Sequence, residues 1–323
     1  MNIQAADWLP YRLPLRKPWQ THLGRIDVRH GELHRLTDSD SRTGWGDAAP
    51  LPAFGIDRQA ARHFAEESAR LDLEAQRAGQ TLHTWLGAQT DSHSVAVNAN
   101  LGSLLACTPA AIVTAQAAGF SVIKLKVGIA PLAAEIAHLR MLTAALPTGL
   151  RLRLDANAAW PEDQAGAFIH ACHDLPIESL EEPLAQPTAL SLKTLQQQAA
   201  FALAIDESWH LIDDAFFASP CVDRLILKPA RIGGLRAALA LARKAALSNI
   251  NCIITSSLES ACGILACAHL AVAVAPNACH GLATSDWLSE NTGATPLIEN
   301  GRLILPKKNG LGFRANPSFS AVA

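Results

Sequence analysis

From about residue 94 onward, short apolar runs of strand length alternate with longer Ala- and Leu-rich runs whose apolar positions recur at helical spacing. This alternation is typical of a parallel sheet built from βα units, and eight strand runs predict a closed (β/α) barrel. The strand runs are 95–101, 122–127, 150–157, 179–183, 202–207, 224–229, 252–257 and 279–283. The helical runs between them are 108–119, 130–146, 161–175, 188–199, 233–248 and 260–275.

The first 93 residues have a different pattern. A hairpin-like segment over 29–50 precedes a long run over 57–79, whose helix Asp57 is expected to cap. The tail over 295–313 has a turn between two strand-like runs, and we expect it to return to this N-terminal module. We therefore predict an α/β protein with an α+β module over 1–93, completed by 296–323, and a barrel over 94–295.

Composition and charge limit the possible partners. The chain has 323 residues, of which 49% are hydrophobic, and a formal net charge of −2. That apolar content can form a sizeable core, and the absence of a block of like charges argues against nucleic acid or an anionic membrane surface as partner. We expect a small-molecule ligand, and both a monomer and a homo-oligomer stay open.

Cysteine usage and the N-terminus indicate the compartment. The seven cysteines are odd in number and scattered, without metal-ligand spacing, which is typical of buried thiols in a reducing cytosol. The N-terminus lacks a charged leader followed by an apolar core, and the longest apolar run, 263–275, is too short to span a bilayer. We expect a soluble, cytoplasmic protein.

Charged residues stand at the carboxyl ends of five successive strand runs. In a βα barrel these ends form the mouth of the active site, so their side chains are the candidates for chemistry. They are Lys124 and Lys126, Asp155 and Asn157, Glu181 and Glu182, Asp206 and Glu207, and Lys228.

Three of these carboxylates are expected to lie at one height in the barrel. Asp155, Glu181 and Asp206 are spaced 26 and 25 residues apart, each close to one βα unit. Three like charges so close together repel unless a positive charge lies between them. Because oxygen ligands favour hard cations, we predict Mg²⁺ there, with Mn²⁺ as a substitute. The alternative is a structural ionic layer in which lysines and Arg153 neutralise the carboxylates.

The lysines indicate proton-transfer chemistry. Lys124 and Lys126 lie two residues apart on one strand face, so we expect their ammonium groups to lower each other's pKa. A lysine with a pKa of roughly 7–8 can act as a general base at neutral pH. A base beside a metal ion favours removal of the α-proton of a carboxylate substrate, with Lys228 on the far side of the barrel. A Schiff-base aldolase uses a lysine but gives the three carboxylates no function. A glycosidase needs one protonated carboxylic acid, and the neighbouring lysines keep the carboxylates ionised.

Six ordered motifs resemble one enzyme family. The segments KLKVG, LRLDANAAW, LEEP, IDES, ILKP and TSSLES, in this order and spacing, resemble the enolase superfamily in its muconate-lactonising branch. The segment GWGDAAPLPAFG is similar to the capping-domain loop of that branch. The resemblance implies an α+β capping domain, formed by both chain ends, over a modified TIM-type barrel. It also implies an essential Mg²⁺ and proton abstraction α to a carboxylate.

Within that branch the short chain and the segments RLRLDAN, TSSLESACG and HGLATSDWL resemble the proteobacterial o-succinylbenzoate synthase family. This resemblance implies dehydration of 2-succinyl-6-hydroxy-2,4-cyclohexadiene-1-carboxylate in menaquinone biosynthesis. It implies Lys126 as the base, with Lys124 beside it and Lys228 on the opposite face. The implied metal ligands are Asp155, Glu181 and Asp206. A dipeptide epimerase or N-acylamino acid racemase, a muconate-type cycloisomerase and a non-catalytic metal-binding barrel remain alternatives.

Further polar residues are candidates for substrate binding. The strand ends supply Arg153, Asn157, Thr255, Ser256 and Gly281, with Ser257 beside them. The hydroxyls of 255–257 are expected to bind a distal carboxylate or to cap a helix. Glu182 and Glu207 are expected to point away from the site by strand alternation, although Glu207 can return at a bent strand end. In the N-terminal module Trp19, Pro52 and Phe54 are candidates to close over an aromatic substrate.

Overall fold

The computed structural model describes residues 2–21 and 24–320. Within this part of the chain the strands form three sheets, ordered β1-β2-β3, β5 to β11 in sequence, and β12-β13-β4. The strands are β1 (Ile3–Thr21), β2 (Gly24–Asp38), β3 (Thr43–Ala48), β4 (Ser94–Ala96), β5 (Ala99–Ser103), β6 (Val122–Lys126), β7 (Arg151–Asp155), β8 (Ile177–Glu181), β9 (Ala202–Ile205), β10 (Arg224–Leu227), β11 (Asn251–Ile254), β12 (Ile298–Glu299) and β13 (Arg302–Ile304).

Most of the helices lie between the strands of the parallel sheet. They are α1 (Arg58–Arg77), α2 (Leu82–Trp85), α3 (Pro109–Ala117), α4 (Leu132–Ala144), α5 (Glu162–Ala171), α6 (Ala189–Gln198), α7 (Asp214–Ala218), α8 (Pro229–Ile232), α9 (Leu235–Leu247), α10 (Ala261–Val274) and α11 (Pro317–Ser320). None of the helices in the described ranges has both the length and the apolarity to cross a bilayer.

Side-chain caps are present at the N-termini of several helices. Asp57 accepts the Ala60 N–H at the start of α1, and Thr108 accepts the Ala111 N–H at the start of α3. Each cap satisfies a main-chain donor that the first helical turn leaves unpaired. The predicted capping role of Asp57 is therefore confirmed.

The parallel sheet curls into the predicted barrel, but its eighth position differs from the expectation. The prediction of a strand over 279–283 is wrong in extent, because only two isolated bridges form there. Thr255 pairs with Gly281 and Val97 pairs with His280, and these bridges join the two sides of the curled sheet. The first predicted strand, 95–101, is also divided, since β4 pairs with β13 and only β5 pairs with β6.

The His280 side chain replaces part of the missing ladder. Its Nδ1 accepts the Ile254 N–H at 3.0 Å, and its Nε2–H donates to the Ala275 carbonyl at 3.0 Å. The ring is completely buried. These two bonds need the neutral imidazole, because a protonated ring has no acceptor for the Ile254 N–H.

His280 gives a testable pH dependence of stability. Burial lowers its pKa to about 4, below the ordinary value, so its stabilising contribution is complete above about pH 6.5 and is lost as the pH falls. Burial raises the pKa of Asp72 and Glu259, so these two groups favour the folded state as the pH falls, which is opposite to the effect of His280. The informative measurement therefore compares two variants. We expect the difference in unfolding free energy between the wild type and His280→Gln to shrink by about 2 kcal/mol between pH 7 and pH 5. Urea unfolding at both pH values measures it, and a constant difference contradicts this role of His280.

The N-terminal module packs closely on itself. The sheet β1-β2-β3 lies against α1, and the approach is so close that a Cβ at Gly46 would come within 1.9 Å of the Ala65 carbonyl oxygen. The tail makes a hairpin at Asn300 and Gly301, both with positive φ, as the predicted turn requires. This hairpin pairs with β4, and farther along the tail the Leu311 N–H donates to Asp72 of α1. The division at 93/94 and 295/296 stays a prediction.

Candidate active site

Strand register gathers the predicted residues at one end of the barrel. Lys126 of β6 is the direct partner of Asp155 of β7, which is the direct partner of Glu181 of β8. Asp206 follows the last residue of β9, and Lys228 follows the last residue of β10. Because the strands are parallel, all five side chains belong to the carboxyl-terminal mouth of the barrel.

Ammonium groups lie between the carboxylates. Lys124 Nζ is 2.9 Å from Asp155 Oδ2 and also donates to Glu181, while Lys228 donates to Asp206. In the described ranges no three His, Cys, Asp or Glu side chains are arranged to hold a metal ion. The lysines therefore neutralise the carboxylates, as in the structural alternative that the sequence left open.

The donor set nevertheless fits a hard divalent cation. The three carboxylates come from adjacent strands and offer only oxygen atoms, the ligands that Mg²⁺ prefers. Glu181 is completely buried, and its Oε1 has no hydrogen-bond partner. The cation beside this oxygen, Arg153 Nε, is 3.8 Å away and beyond hydrogen-bond distance, so the oxygen can still accept a closer cation. Its position beside Asp155 is thus suited to a metal ligand as well as to the Lys124 ion pair.

The expected depression of the lysine pKa values is wrong for Lys124. Burial lowers the pKa of Lys124, but the charges of Asp155 and Glu181 outweigh burial and raise it above its ordinary range. Lys124 is therefore an ammonium ion that compensates charge. Lys126 has a different environment, because its Nζ donates to the neutral amide oxygen of Asn157 at 2.9 Å.

A cavity with a volume of about 110 Å³ opens beside these residues. Most of the predicted site residues line it, namely Lys124, Lys126, Asp155, Asn157, Asp206, Lys228, Thr255, Ser256 and Gly281. Glu181 does not line the cavity and lies below its floor, completely buried. The sequence thus locates the pocket, and the roles of its residues stay predictions.

Arg153 is a correction to the predicted substrate-binding set. It is completely buried and does not line the cavity. Its guanidinium donates to Glu178 at 2.9 Å, to Asn98 Oδ1 at 3.1 Å and to the Cys279 carbonyl at 2.9 Å. The side chain of a residue two positions before the strand end lies one layer deeper in the barrel, where it pairs with other core residues.

Glu207 lines the cavity, although strand alternation favoured a position outside it. The strand ends at Ile205, so alternation no longer applies to Glu207, and Asn157 Nδ2 donates to its Oε1 at 3.4 Å. Burial and the charge of Asp206 raise its pKa to about 8. Glu182 points away as predicted and accepts the main-chain N–H groups of Asp206 and Ser208, which shapes this loop.

Aromatic rings cover one side of the cavity. Trp19 stacks on Phe54 at a centroid distance of 5.3 Å, and Trp287 meets Trp19 edge-on at 5.9 Å. Trp19 and Phe54 line the cavity, whereas Pro52 does not. Trp287 belongs to the HGLATSDWL segment, but its contact with Trp19 was not predicted, because it joins positions that are distant in the chain.

Hydroxyl groups line the opposite wall. Thr255 Oγ1 and Ser257 Oγ are buried without a hydrogen-bond partner, and Ser256 Oγ bonds Thr284 Oγ1 at 2.6 Å. Buried hydroxyls normally have a partner, so two unpaired ones at a cavity wall indicate a position for a polar ligand group.

Comparison with known proteins agrees with this fold. Residues 109–319 match the family model described as "Enolase C-terminal domain-like". The o-succinylbenzoate synthase of Pectobacterium atrosepticum is 30% identical over 295 residues, covering 86% of this chain and 89% of that protein.

Solved structures share the architecture at lower identity. The substrate-liganded L-Ala-D/L-Glu epimerase of Bacillus subtilis superposes with a TM-score of 0.86, 22% identity and coverage of 98% of this chain and 99% of that chain. The dipeptide epimerase of Cytophaga hutchinsonii, complexed with Mg and D-Ala-L-Val, superposes with a TM-score of 0.85 and 20% identity, covering 98% and 97%. These likenesses establish the fold.

Proposed function

The chain belongs to the enolase superfamily, and from that premise we propose that it is an o-succinylbenzoate synthase, a hydro-lyase of menaquinone biosynthesis in the cytoplasm. The observation that carries the proposal is the relative of that name, which is 30% identical along nearly the whole chain. The substrate is 2-succinyl-6-hydroxy-2,4-cyclohexadiene-1-carboxylate, and the product is o-succinylbenzoate.

The reaction is a syn elimination of water. Lys126 Nζ takes the proton from the ring carbon that bears the carboxylate, and the electrons of that C–H bond form the new ring double bond. The bond between the neighbouring ring carbon and its hydroxyl breaks, and the leaving hydroxide takes a proton from the Lys126 ammonium to form water. Aromatisation makes the step favourable. Lys126 lines the cavity, and its Nζ bonds the Asn157 amide oxygen rather than a carboxylate, which leaves the amine in position to contact a substrate there.

The proposed metal ligands are Asp155, Glu181 and Asp206. A bound Mg²⁺ would supply positive charge next to the carboxylate from whose α-carbon the proton is removed. Asp155 lines the cavity, so the carboxylate of a substrate bound there would lie close to the positive charge of the bound ion.

The hydroxyl wall suits the distal succinyl carboxylate. Thr255 Oγ1 and Ser257 Oγ have hydrogen-bond capacity to spare and lie at the cavity wall. We propose that they donate to this carboxylate. Gly281 lets Thr255 pack closely against the backbone of this wall, since a Cβ there would meet Thr255 Cγ2 at 2.7 Å. The stacked rings of Trp19 and Phe54 would cover the planar product.

The different environments of Lys126 and Lys228 favour a reaction that uses one base. Lys228 pairs with Asp206, and although burial lowers its pKa, that carboxylate raises it overall and holds the amine protonated. Within the described ranges the Lys126 ammonium hydrogen-bonds the Asn157 amide oxygen and no carboxylate. A two-base epimerisation needs an uncharged amine on each face in turn, whereas a syn dehydration needs one base.

An epimerase of dipeptides or N-acylamino acids is the second candidate, because the architecture is shared with two dipeptide epimerases. Both reactions begin with α-proton removal, so the test identifies which product is formed. We expect Mg²⁺-dependent formation of o-succinylbenzoate from the cyclohexadiene acid, at a kcat of about 1–10³ s⁻¹.

In D₂O we expect little deuterium incorporation into N-succinylamino acids or L-Ala-L-Glu. Rapid incorporation into either of these substrates, together with no dehydration of the cyclohexadiene acid, contradicts the proposal and favours the epimerase.

A further inference from the structure

Arg29 lies buried where the N-terminal sheet meets the barrel, and 4% of its surface is exposed. Its guanidinium donates to main-chain oxygens of four described residues. Nε donates to the Leu258 carbonyl at 3.1 Å, Nη1 to the Pro50 carbonyl at 2.8 Å and Nη2 to the Ala49 carbonyl at 2.9 Å, with the Ser257 carbonyl at 3.5 Å. One guanidinium therefore joins two segments that are about 200 residues apart in the chain.

Both segments form walls of the cavity. The first continues into Leu51 and Phe54, and the second comprises 255–258, which includes the unpaired hydroxyls. The five donors of a guanidinium have a fixed planar arrangement, so the two walls are held at one relative position.

The backbone of Leu258 provides a second observation. Its φ is 61°, in the left-handed region that branched L-residues avoid. Such a conformation persists only where the surroundings determine it. Here the Arg29 guanidinium donates to the Leu258 carbonyl, and the Leu258 N–H donates to Ser256 Oγ at 3.4 Å.

A buried polar layer surrounds the guanidinium. Asp47 accepts the Tyr11 hydroxyl and the Ser260 N–H, each at 2.7 Å, and Glu259 accepts the Ser257 N–H at 2.7 Å. Burial raises the pKa of Asp47 and of Glu259, and the positive charge of Arg29 opposes both rises. The layer thus fixes 257–260 to the N-terminal module through charge as well as hydrogen bonds.

We propose that Arg29 is a positioning residue: its guanidinium locks the 49–54 wall against the 255–258 wall and so fixes the hydroxyl groups that receive the distal end of the substrate. The kinetic part of this inference rests on the proposed function. The structural part does not.

The test compares Arg29→Lys with Arg35→Lys. Arg35 lies on the same strand but donates to Asp7, and it does not line the cavity. Lysine keeps the charge of Arg29 and loses the planar set of donors. We expect hydrogen exchange of the 255–260 amides to accelerate by about 10-fold or more in Arg29→Lys. We also expect KM for the cyclohexadiene acid to rise about 10-fold while kcat stays within about 3-fold, because ligand positioning changes and Lys126 does not. Arg35→Lys should change neither.

Unchanged exchange over 255–260, or a fall in kcat with constant KM, overturns the inference. If Arg29→Lys does not fold, Tyr11→Phe removes one hydroxyl from the same layer, and faster exchange over 257–260 in that variant supports the inference while unchanged exchange overturns it. If the wild type does not dehydrate the cyclohexadiene acid, the proposed function is wrong, and the exchange comparison alone decides the role of Arg29.

Discussion

Lys126→Ala is expected to lower kcat for dehydration by about 10³-fold or more, with the fold unchanged. The amine of Lys126 lines the cavity and donates to Asn157, and no other lysine of the pocket is without a carboxylate partner in the described residues. Loss of this amine removes the proposed base, and neither Lys124 nor Lys228 is free to replace it. Steady-state kinetics and circular dichroism on the same preparation make the measurement.

Two further variants sharpen this result. Lys126→Arg keeps the positive charge but cannot act as a base near neutral pH, so we expect it to be as inactive as Lys126→Ala. Lys193→Ala, which removes a lysine that bonds Ser219 outside the cavity, should retain full activity. If Lys126→Arg keeps most of the wild-type kcat, Lys126 contributes charge and another group removes the proton. If Lys126→Ala keeps it, a non-catalytic role of the barrel centre becomes the better explanation.

The sequence is informative about the site because parallel strands repeat at a constant spacing. The 26- and 25-residue intervals place Asp155, Glu181 and Asp206 at neighbouring strand ends, and the register of β7 and β8 agrees. The same logic predicts Lys126 and Lys228 at the mouth. Periodicity and turn residues were sufficient to predict the order of the barrel strands, because both are local properties of the chain.

The remaining features depend on contacts that no local pattern encodes. The eighth strand is reduced to two bridges, at His280 and Gly281, and the His280 ring accepts the Ile254 N–H, a contact that apolar periodicity does not predict. Arg153 was misplaced because its partners, Asn98 and Cys279, are distant in sequence. The pair of lysines on one strand face predicts a lowered pKa for Lys124. That prediction is wrong, because two carboxylates contact the Lys124 ammonium group and raise its pKa.

The metal proposal makes the second large prediction, for Glu181→Gln. In the described structure the buried Glu181 Oε1 accepts no hydrogen bond and has Arg153 Nε only at 3.8 Å, an arrangement that a bound cation would explain. We expect this variant to lose Mg²⁺ affinity by at least about 10²-fold, because even outer residues of metal sites contribute 10- to 100-fold. Dehydration should fall with it.

Binding of Mg²⁺ alone, followed by calorimetry and by the rise in melting temperature that Mg²⁺ produces, separates the two explanations of the carboxylate row. Glu178→Gln is the matched control, since Glu178 lies on the same strand but pairs with Arg153, so that variant should be less stable and still bind Mg²⁺. If Glu181→Gln binds Mg²⁺ like the wild type, Glu181 is not a metal ligand. If the wild type does not bind Mg²⁺, the carboxylates serve only to pair with Lys124, Lys228 and Arg153. In that second case the buried Oε1 has only the Arg153 guanidinium, at 3.8 Å, to compensate its charge, and proton abstraction would have to proceed without a metal.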